Sequence, residues 1–528
     1  MRASALAAGL IAVSLATPAW ANGPGSAHYA RGSKDVFWFL HITDIHVGSG
    51  IMGPDALPRL AFVLGEGHKV IKPVFVVATG DLNNGSLNHV LYAGQEPEDW
   101  YDYEKAYTDA GMLPANYHDL PGNHDGYGDI GLTWYLGHSL QGKTTGLPHG
   151  SWTHTTGLGH KIAFFGLNSA GVGQPAMSPQ KPAFTAEGIA ALSSGLEEHK
   201  DAALTIVFAH HPLEEPPGGA EVTTLLEAYG GAFYVHGHKH QLEEYLSSSP
   251  YIVSNQLKSL GQSDEQNLAV GVVDHNAFIY GATDVLAPWP LIVITAPVSH
   301  TLRGSETLNP WAYMVCKDRV DNPVRALVFS LDAPSSVTAS VGGLSPVPLS
   351  NTPGSPSLWE GELDTTTLTA GRHELTVTAT VGGKQSTKKI TVPFSMGPCA
   401  PLPDDALVPD GGVGGSGGQG GSSGADGGGG VAGGGGAQAG GGGAPEGGAG
   451  APAAGGSAQA GAGGSGTSGN GGACPAAPEE SSGGCGCRTA PGSGGAFASV
   501  GALLILGFNL RRRRRTHSSD RSEPSRSR

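Results

Sequence analysis

Short runs of apolar and β-branched residues alternate with longer amphipathic segments over the first half of the chain. The continuous apolarity of the runs predicts strands buried on both faces. These predicted strands are Val36–Leu40, Val74–Ala78, Ile162–Gly166, Thr205–Ala209 and Ala232–Val235. Helices are predicted between them at Trp100–Ala110, at Ala186–His199 after a possible cap at Thr185, and at Glu221–Tyr229. The pattern predicts an α/β sandwich.

The texture changes after a predicted hairpin of Leu268–Val273 and Ala277–Tyr280, which Asp274-His275-Asn276 separate. From residue 285 to residue 395, short β-rich runs alternate with Pro and Gly turns, and no helical period is found. The runs are Leu291–Thr295, Ala326–Ser330, Val337–Val341 and Glu374–Thr380. We expect this part to be an all-β, immunoglobulin-like sandwich that follows a first domain over residues 36–284.

The last quarter of the chain has a composition that cannot build a core. Many of the 86 glycines lie in residues 396–484, a Gly/Ala/Ser/Pro stretch that predicts a disordered linker. Residues 485–528 then contain Cys485-Gly486-Cys487, the apolar run Ala496–Leu510 and the arginines Arg511–Arg515.

The N-terminus is typical of a secretory signal peptide over residues 1–21. Arg2 precedes an apolar stretch, and Ala19-Trp20-Ala21 fits the rule for cleavage after small residues. A membrane-anchoring helix is the alternative, although the apolar run is short for one. Export would permit Cys316 and Cys399 to pair, but the sequence leaves their proximity open.

The charge of the chain argues against one class of partner. The net charge is −15, while the segment from Cys485 onward holds nine arginines against Asp520 and Glu523, so the globular part is acidic. An acidic surface repels phosphate backbones, and we therefore expect no nucleic acid as a binding partner. Metal cations could still attract phosphate locally.

Polar residues collect where the predicted strands end. Ligands bind outside the carboxyl ends of strands in open α/β sheets, so five loops would deliver these side chains to one edge. They are Asp44 and His46, Asp81, Asn123 with His124, His210, and His238 with His240. Each motif taken alone is commonplace in turns and polar loops. Their combination and order indicate a site.

The residue types suit a pair of divalent metals. Carboxylate, imidazole and amide oxygen together match Mn, Fe or Zn. A carboxylate can bridge two metals about 3.5–4 Å apart, which suits clamping the attacking and leaving oxygens of a phosphoryl group.

These motifs resemble the calcineurin-like metallophosphoesterase superfamily. The resemblance rests on Asp44-x-His46, Gly80-Asp81, Gly122-Asn123-His124-Asp125, His210 and Gly237-His238-x-His240. It implies an α/β/β/α sandwich that hydrolyses phosphate mono- or diesters with a metal-bridging hydroxide. One metal would be held by Asp44, His46 and His240, and the other by Asn123, His210 and His238, with Asp81 bridging both. His124 would contact phosphate and act as general acid. His211 is the alternative to His210 as the ligand. The position of His210 at the end of the strand favours His210.

At two positions the sequence differs from known subfamilies of this superfamily, which makes those subfamilies poor matches. Asn84 stands where purple acid phosphatases carry a tyrosine, and Gly85 stands where serine/threonine protein phosphatases carry an arginine. The transmembrane protein 62 group is more similar, through Trp100 and Tyr103, the segment Pro290–Pro297 and the segment Val324–Ser330.

The C-terminal arrangement resembles the MYXO-CTERM sorting signal. The resemblance implies a C-terminal membrane segment, a processing protease that acts near Cys485 or Cys487, and display at the cell surface. A plain membrane anchor is the alternative. The leading interpretation is thus an exported phosphoesterase, and the competing one is a surface binding or adhesion protein that uses its β-sandwich, where Trp359 is available.

Overall fold

The computed structural model describes residues 29–403, apart from residues 50–55, 86–93, 177, 179–180 and 263–265. These residues belong to one compact unit. The predicted signal peptide, most of the Gly-rich linker and the C-terminal segment lie outside the described residues. No helix among the residues described here is long and apolar enough to cross a bilayer.

Two mixed sheets form the first part of the molecule. The first sheet has the order β11-β10-β1-β2-β3, and the second has the order β4-β5-β6-β7-β9-β8. The strands of the first are β1 Val36–Ile42, β2 Val76–Thr79, β3 Tyr117–Leu120, β10 Asn267–Asp274 and β11 Ala277–Asp284. Those of the second are β4 Gly150–Thr155, β5 Lys161–Gly166, β6 Leu204–Phe208, β7 Ala232–His236, β8 Glu243–Leu246 and β9 Ile252–Gln256.

Helices cover the outer face of each sheet. The helices are α1 Ala56–Phe62, α2 His68–Ile71, α3 Pro97–Asp109, α4 Thr133–His138, α5 Leu140–Thr145, α6 Ala186–Glu198 and α7 Gly219–Ala228. Leu40 of β1 shares a buried cluster with Trp100 of α3, whereas Val207 of β6 shares one with Leu192 of α6 and Val222 of α7. A third cluster, with Phe39 and Phe164, lies between the sheets. The layers are therefore helix, sheet, sheet and helix, the order that the family resemblance implied, and they agree with the α/β sandwich that the alternating pattern predicted.

The parallel core of each sheet sends its carboxyl ends in one direction. β1, β2 and β3 pair in parallel, as do β5, β6, β7 and β9. The predicted hairpin is confirmed, because β10 and β11 pair from Asn267 with Asp284 to Asp274 with Ala277. The cap at Thr185 is also present, since its hydroxyl accepts a bond from the Gly188 N–H at 3.2 Å.

The following part contains strands in two further sheets, with the orders β12-β14-β18-β17 and β13-β20-β19-β15-β16. Its strands are β12 Leu291–Ala296, β13 Val315–Cys316, β14 Asn322–Phe329, β15 Ser336–Val341, β16 Val347–Pro348, β17 Ser350–Asn351, β18 Leu358–Leu363, β19 Gly371–Val381 and β20 Lys384–Ser395. Ala326 of β14 and Val377 of β19, one from each of these two sheets, contribute to one buried cluster, so the two sheets enclose a core. Cys316 and Cys399, whose proximity the sequence left open, form a disulfide with their Cα atoms 5.6 Å apart.

The N-terminal residues of the described chain tie the two parts together. Tyr29 donates a hydrogen bond to the Pro323 carbonyl at 2.6 Å and stacks on Tyr313. The Ala30 carbonyl accepts a bond from Arg325 at 2.8 Å. Because this segment packs on strand β14 before it enters β1, the β-rich part is anchored at both ends of the first part.

Candidate metal centre

The eight predicted site residues lie together at the carboxyl ends of the parallel strands. Asp44 and His46 follow β1, Asp81 follows β2, and Asn123 and His124 follow β3. His210 follows β6, and His238 and His240 follow β7. The edge is thus formed by both sheets, which explains why residues almost 200 positions apart in the sequence are neighbours in space.

Asp81 lies at the centre of the group. One carboxylate oxygen, Oδ2, is 3.2 Å from His210 Nε2, 3.7 Å from His46 Nε2 and 3.9 Å from His124 Nε2. The other, Oδ1, accepts a hydrogen bond from the backbone N–H of His124 at 2.8 Å. A carboxylate placed between imidazoles on both sides has the position that a bridging ligand requires.

Asp44 organises one half of the centre. Its Oδ1 lies 3.1 Å from His240 Nε2 and 3.9 Å from His46 Nε2. Its Oδ2 accepts bonds from the Thr43 hydroxyl at 2.7 Å and from the His238 backbone N–H at 3.0 Å. Asp44, His46 and His240 present ligand atoms within 4.8 Å of one another, which is the first predicted metal set.

The other half contains His210, Asn123 and His238. His210 Nε2 is 3.2 Å from the Asn123 side-chain oxygen, and its ring centroid is 5.2 Å from that of His238. The Nδ1 of His210 donates to the Thr79 carbonyl at 2.8 Å, which directs Nε2 toward the centre. Fixing a tautomer through the second ring nitrogen is how proteins orient metal-binding imidazoles.

His211 also approaches this half of the centre. Its Nδ1 is hydrogen-bonded to the Ser169 hydroxyl at 2.9 Å, and its ring centroid is 4.4 Å from that of His238. His210, His211 and His238 can present atoms within 4.8 Å of one another. Only His210 of the two neighbours is also within hydrogen-bonding distance of Asp81, so the geometry favours His210 as the ligand shared with Asp81.

Several buried polar atoms of the centre have no hydrogen-bond partner among the described residues. They include both ring nitrogens of His46 and the side-chain nitrogen of Asn123. Burial, together with the neighbouring His124, lowers the pKa of His46 to about 3, so this imidazole is neutral at ordinary pH. A neutral, buried imidazole whose unprotonated ring nitrogen accepts no hydrogen bond is suited to a cation. The residues present therefore fit a metal.

Electrostatics also favour a cation at this edge. Burial lowers the pKa of His210, but the charges of Asp81 and Asp44 outweigh burial and raise this pKa to about 9. The two buried carboxylates thus recruit a proton onto His210 to compensate their charge, and a metal would supply that positive charge directly.

Backbone strain is concentrated in the same residues. Among the described non-glycine residues, eight have φ between 50° and 74°, and five of them are predicted ligands. These five are Asp44, His46, Asp81, His238 and His240. Left-handed backbone conformations are costly for such residues and cluster at functional sites. The left-handed conformation of these residues leaves no periodic pattern in the sequence.

Two glycines allow the loops to approach closely. A Cβ atom on Gly122 would lie 2.2 Å from Asp81 Oδ1, and one on Gly237 would lie 2.2 Å from Asp44 Oδ2. The glycines beside the motifs therefore provide room for the carboxylates.

Some supporting residues were missed by sequence reasoning. Asp125 accepts bonds from the backbone N–H groups of Leu82, Asn83 and Gly122 at 3.2, 2.9 and 2.7 Å, and so joins the loops after β2 and β3. The Asn84 carbonyl accepts a bond from His124 Nδ1 at 2.7 Å. Asp125 belongs to a quoted motif, but its function in joining two loops has no signal in the sequence.

The comparisons with known proteins agree with the motifs. Residues 37–242 match the family model of the calcineurin-like phosphoesterases. Mouse transmembrane protein 62 is 24% identical over 343 residues, which cover 61% of this chain and 50% of that protein. A putative metallophosphoesterase of Arabidopsis thaliana is 28% identical over 103 residues, 19% of this chain and 14% of that protein. The chain thus spans half the length of the mouse relative, and the match covers much less of the plant one.

A solved structure of a predicted phosphoesterase from Streptococcus pneumoniae is also similar. It is 12% identical, covers 47% of this chain and 90% of that chain, and has a TM-score of 0.22. The superfamily resemblance indicated by the motifs is confirmed by the family model and the two relatives.

Proposed function

We propose that this chain, whose residues 37–242 belong to the calcineurin-like phosphoesterases, is a metal-dependent hydrolase of phosphate esters. The observation that carries the proposal is the placement of Asp81. Its carboxylate lies within 4 Å of imidazole nitrogens of His46, His124 and His210, at an edge where every predicted ligand converges.

The centre would hold two divalent ions, Mn, Fe or Zn. Asp44, His46 and His240 would hold one, and Asn123, His210 and His238 the other, with Asp81 shared. When bound, such ions supply an acidic water and neutralise charge on phosphoryl oxygens. The ring hydrogen bond of His210 to Thr79 and the bonds of Asp44 to Thr43 and to the His238 backbone would fix the ligands before the metals bind.

His124 would serve the leaving group. Its Nδ1–H is held by the Asn84 carbonyl, so Nε2 is the atom that can carry a transferable proton toward the centre. The side chain is 13% exposed, whereas His46 and His210 are fully buried, so substrate can reach it. His124 Nε2 would protonate the departing ester oxygen, and both monoesters and diesters would present such an oxygen.

Reconstitution tests this proposal. The full chain, stripped of metal and reloaded singly with Mn, Fe or Zn, should bind two ions per chain by elemental analysis and hydrolyse nitrophenyl mono- or diesters. Asp81→Ala should lose activity and should no longer bind two metal ions per chain. Asp35→Ala, which removes a buried carboxylate that is not among the predicted site residues, controls for general damage to the fold. One ion or none at saturation in the wild-type chain would contradict the dinuclear centre.

We further propose that the protein is exported and displayed at the cell surface. The disulfide between Cys316 and Cys399 supports this, because such bonds persist in oxidising compartments. The signal-peptide and sorting-signal patterns of the two termini support it as well. The β-rich part would then be an immunoglobulin-like spacer between the enzyme and the Gly-rich linker.

Localisation can be tested on intact cells. Activity toward an ester that cannot enter the cell is expected before lysis, and a chain truncated before Gly484 should release that activity into the medium. Activity that is found only after lysis would contradict export and leave the metal chemistry untouched.

A further inference from the structure

A cavity lies between the two parts of the molecule, away from the metal centre. It has a volume of about 570 Å³, which is within the usual size range of small-molecule sites. Residues of β7, β8, β9 and β11 line it together with residues of β12, β19, β20 and the loop after β12. None of the eight predicted site residues contributes to its lining.

Lys388 occupies an unusual position in this cavity. It pairs with Val377 across β19 and β20, and cross-strand partners point to the same face of a sheet. Val377 is fully buried in the core of the β-rich part, so Lys388 stands on the inward face where alternation favours an apolar residue. The side chain is half-buried and lines the cavity.

The other two cationic side chains that line the cavity are already paired, and the Glu306 carboxylate in its lining is exposed. The Arg303 backbone N–H and Nε contact Glu244 at 2.9 and 3.3 Å. Lys389 contacts Glu374 at 2.8 Å. The Lys388 ammonium, by contrast, makes no hydrogen bond or ion pair within the described part of the chain. Burial, and then the charge of Arg303, lowers the pKa of Lys388, while Glu244 acts in the opposite direction.

The remainder of the lining contains both apolar and polar side chains, the polar ones including Asn255, Ser299 and Asn309. Phe278, Ile279 and Ile390 contribute side chains to the walls near the paired charges. A half-buried ammonium without a counter-charge is costly, and an anion beside it would relieve that cost. The walls would at the same time favour an apolar body attached to the anion.

We propose that this cavity binds a small amphipathic anion, with its carboxylate or phosphate head on Lys388 and its apolar body against the walls. The site is independent of the phosphoesterase chemistry. Its ligand class follows from the single unpaired cation and from the apolar side chains that share the lining with polar ones.

Calorimetric titration of the full chain tests the proposal, with Asp81→Asn as the background so that anions cannot be held by an intact metal centre. Octanoate and octyl phosphate are the probes, and comparing them distinguishes the two kinds of head group. Octyl glucoside lacks the charge, and inorganic phosphate lacks the apolar body. At least one of the first two should bind with a 1:1 stoichiometry, and both of the latter at least ten-fold more weakly.

Variants of the lysine complete the test. Lys388→Met should weaken binding by ten-fold or more, Lys388→Arg should retain it, and Lys384→Met, an exposed change on the same strand, should leave it unaltered. Failure of both charged probes to bind, equal binding of octyl glucoside or phosphate, or unaltered binding in Lys388→Met would overturn the proposal. An equal loss in Lys388→Arg and Lys388→Met would overturn the assignment of the charge.

Discussion

Arg325 and Asp274 form a buried, two-pronged ion pair between the β-rich part and the first sheet. Arg325 Nε lies 2.9 Å from Asp274 Oδ2, and Nη2 lies 2.7 Å from Oδ1. Both side chains are at most 2% exposed. Because β14 carries the arginine and the end of β10 carries the aspartate, the pair fixes the β-rich part against the first part of the molecule.

Removing the arginine should therefore destabilise the whole chain. Arg325→Met leaves Asp274 buried without its main counter-charge, and breaking such a pair costs about 3–5 kcal/mol. The free energy of unfolding, measured by denaturant titration, should fall by that amount. Lys200→Met removes an exposed pair with Glu197 and should leave it nearly unchanged. Similar effects of the two changes would contradict a fixing function of the buried pair.

Substitution of Gly122 tests the close approach of its backbone to the Asp81 carboxylate at the metal centre. Gly122→Ala would place a Cβ atom 2.2 Å from Asp81 Oδ1, so the carboxylate must move. A displacement of about 1 Å at a reacting centre can cost roughly 10²-fold in rate. We expect a loss of at least that size in kcat/KM, together with weaker metal binding. Gly65→Ala, where nothing lies within 4 Å of the added atom, should retain both, and retention in Gly122→Ala would contradict the steric argument.

Much of this site was predictable because its chemistry is tied to strand ends. Apolar runs such as Val36–Leu40 identify buried strands, and the polar residues that follow them must share an edge when the strands are parallel. The bounds of the five strands predicted before the hairpin differ by at most two residues from those observed, since apolarity does not mark the last hydrogen-bonded residue. β2, for example, begins at Val76 rather than Val74. The bounds of β11, β14 and β19 differ by three or four residues at one end.

Other features depend on tertiary contacts that have no local pattern. The short helices α4 and α5 were missed because each is only six residues long, and α5 depends on a Ser139 hydroxyl that accepts the Gly142 N–H. The docking of Tyr29 on β14 joins residues 294 positions apart. Neither the cavity at Lys388 nor the disulfide partner of Cys316 could be derived from spacing alone.

His118 should make the stability of the protein depend on pH. It lies on β3, is 7% exposed and stacks on Trp152, and burial lowers its pKa to about 4. Between that value and about 6.5, the unfolded chain binds a proton that the folded chain does not. The contribution of His118 to stability is therefore complete above pH 6.5 and is lost as the pH falls toward 4, by about 3 kcal/mol in all.

His118→Phe retains the ring but cannot titrate. Denaturant titrations of both chains between pH 7.5 and pH 4 provide the comparison, because all other titrating groups are common to them. The wild-type free energy of unfolding should fall more steeply on acidification than that of the variant. Parallel profiles would mean that the folded chain accommodates the protonated ring.

The proposed acid function of His124 makes the effect of its loss depend on the substrate. His124→Ala should leave metal content intact, because His124 belongs to neither predicted metal set. A loss of metal in the variant would instead make His124 a ligand, since it can present an atom within 4.8 Å of those of His46 and Asp81. Turnover of an alkyl ester should fall by roughly 10²–10⁴-fold, the usual contribution of a general acid. An ester of nitrophenolate needs little protonation of its leaving oxygen, so its loss should be much smaller. Rates measured for a series of leaving groups of increasing pKa would show a steeper dependence in the variant than in the wild-type chain. An equal loss for every leaving group would contradict proton transfer and leave His124 as a phosphate-binding residue only.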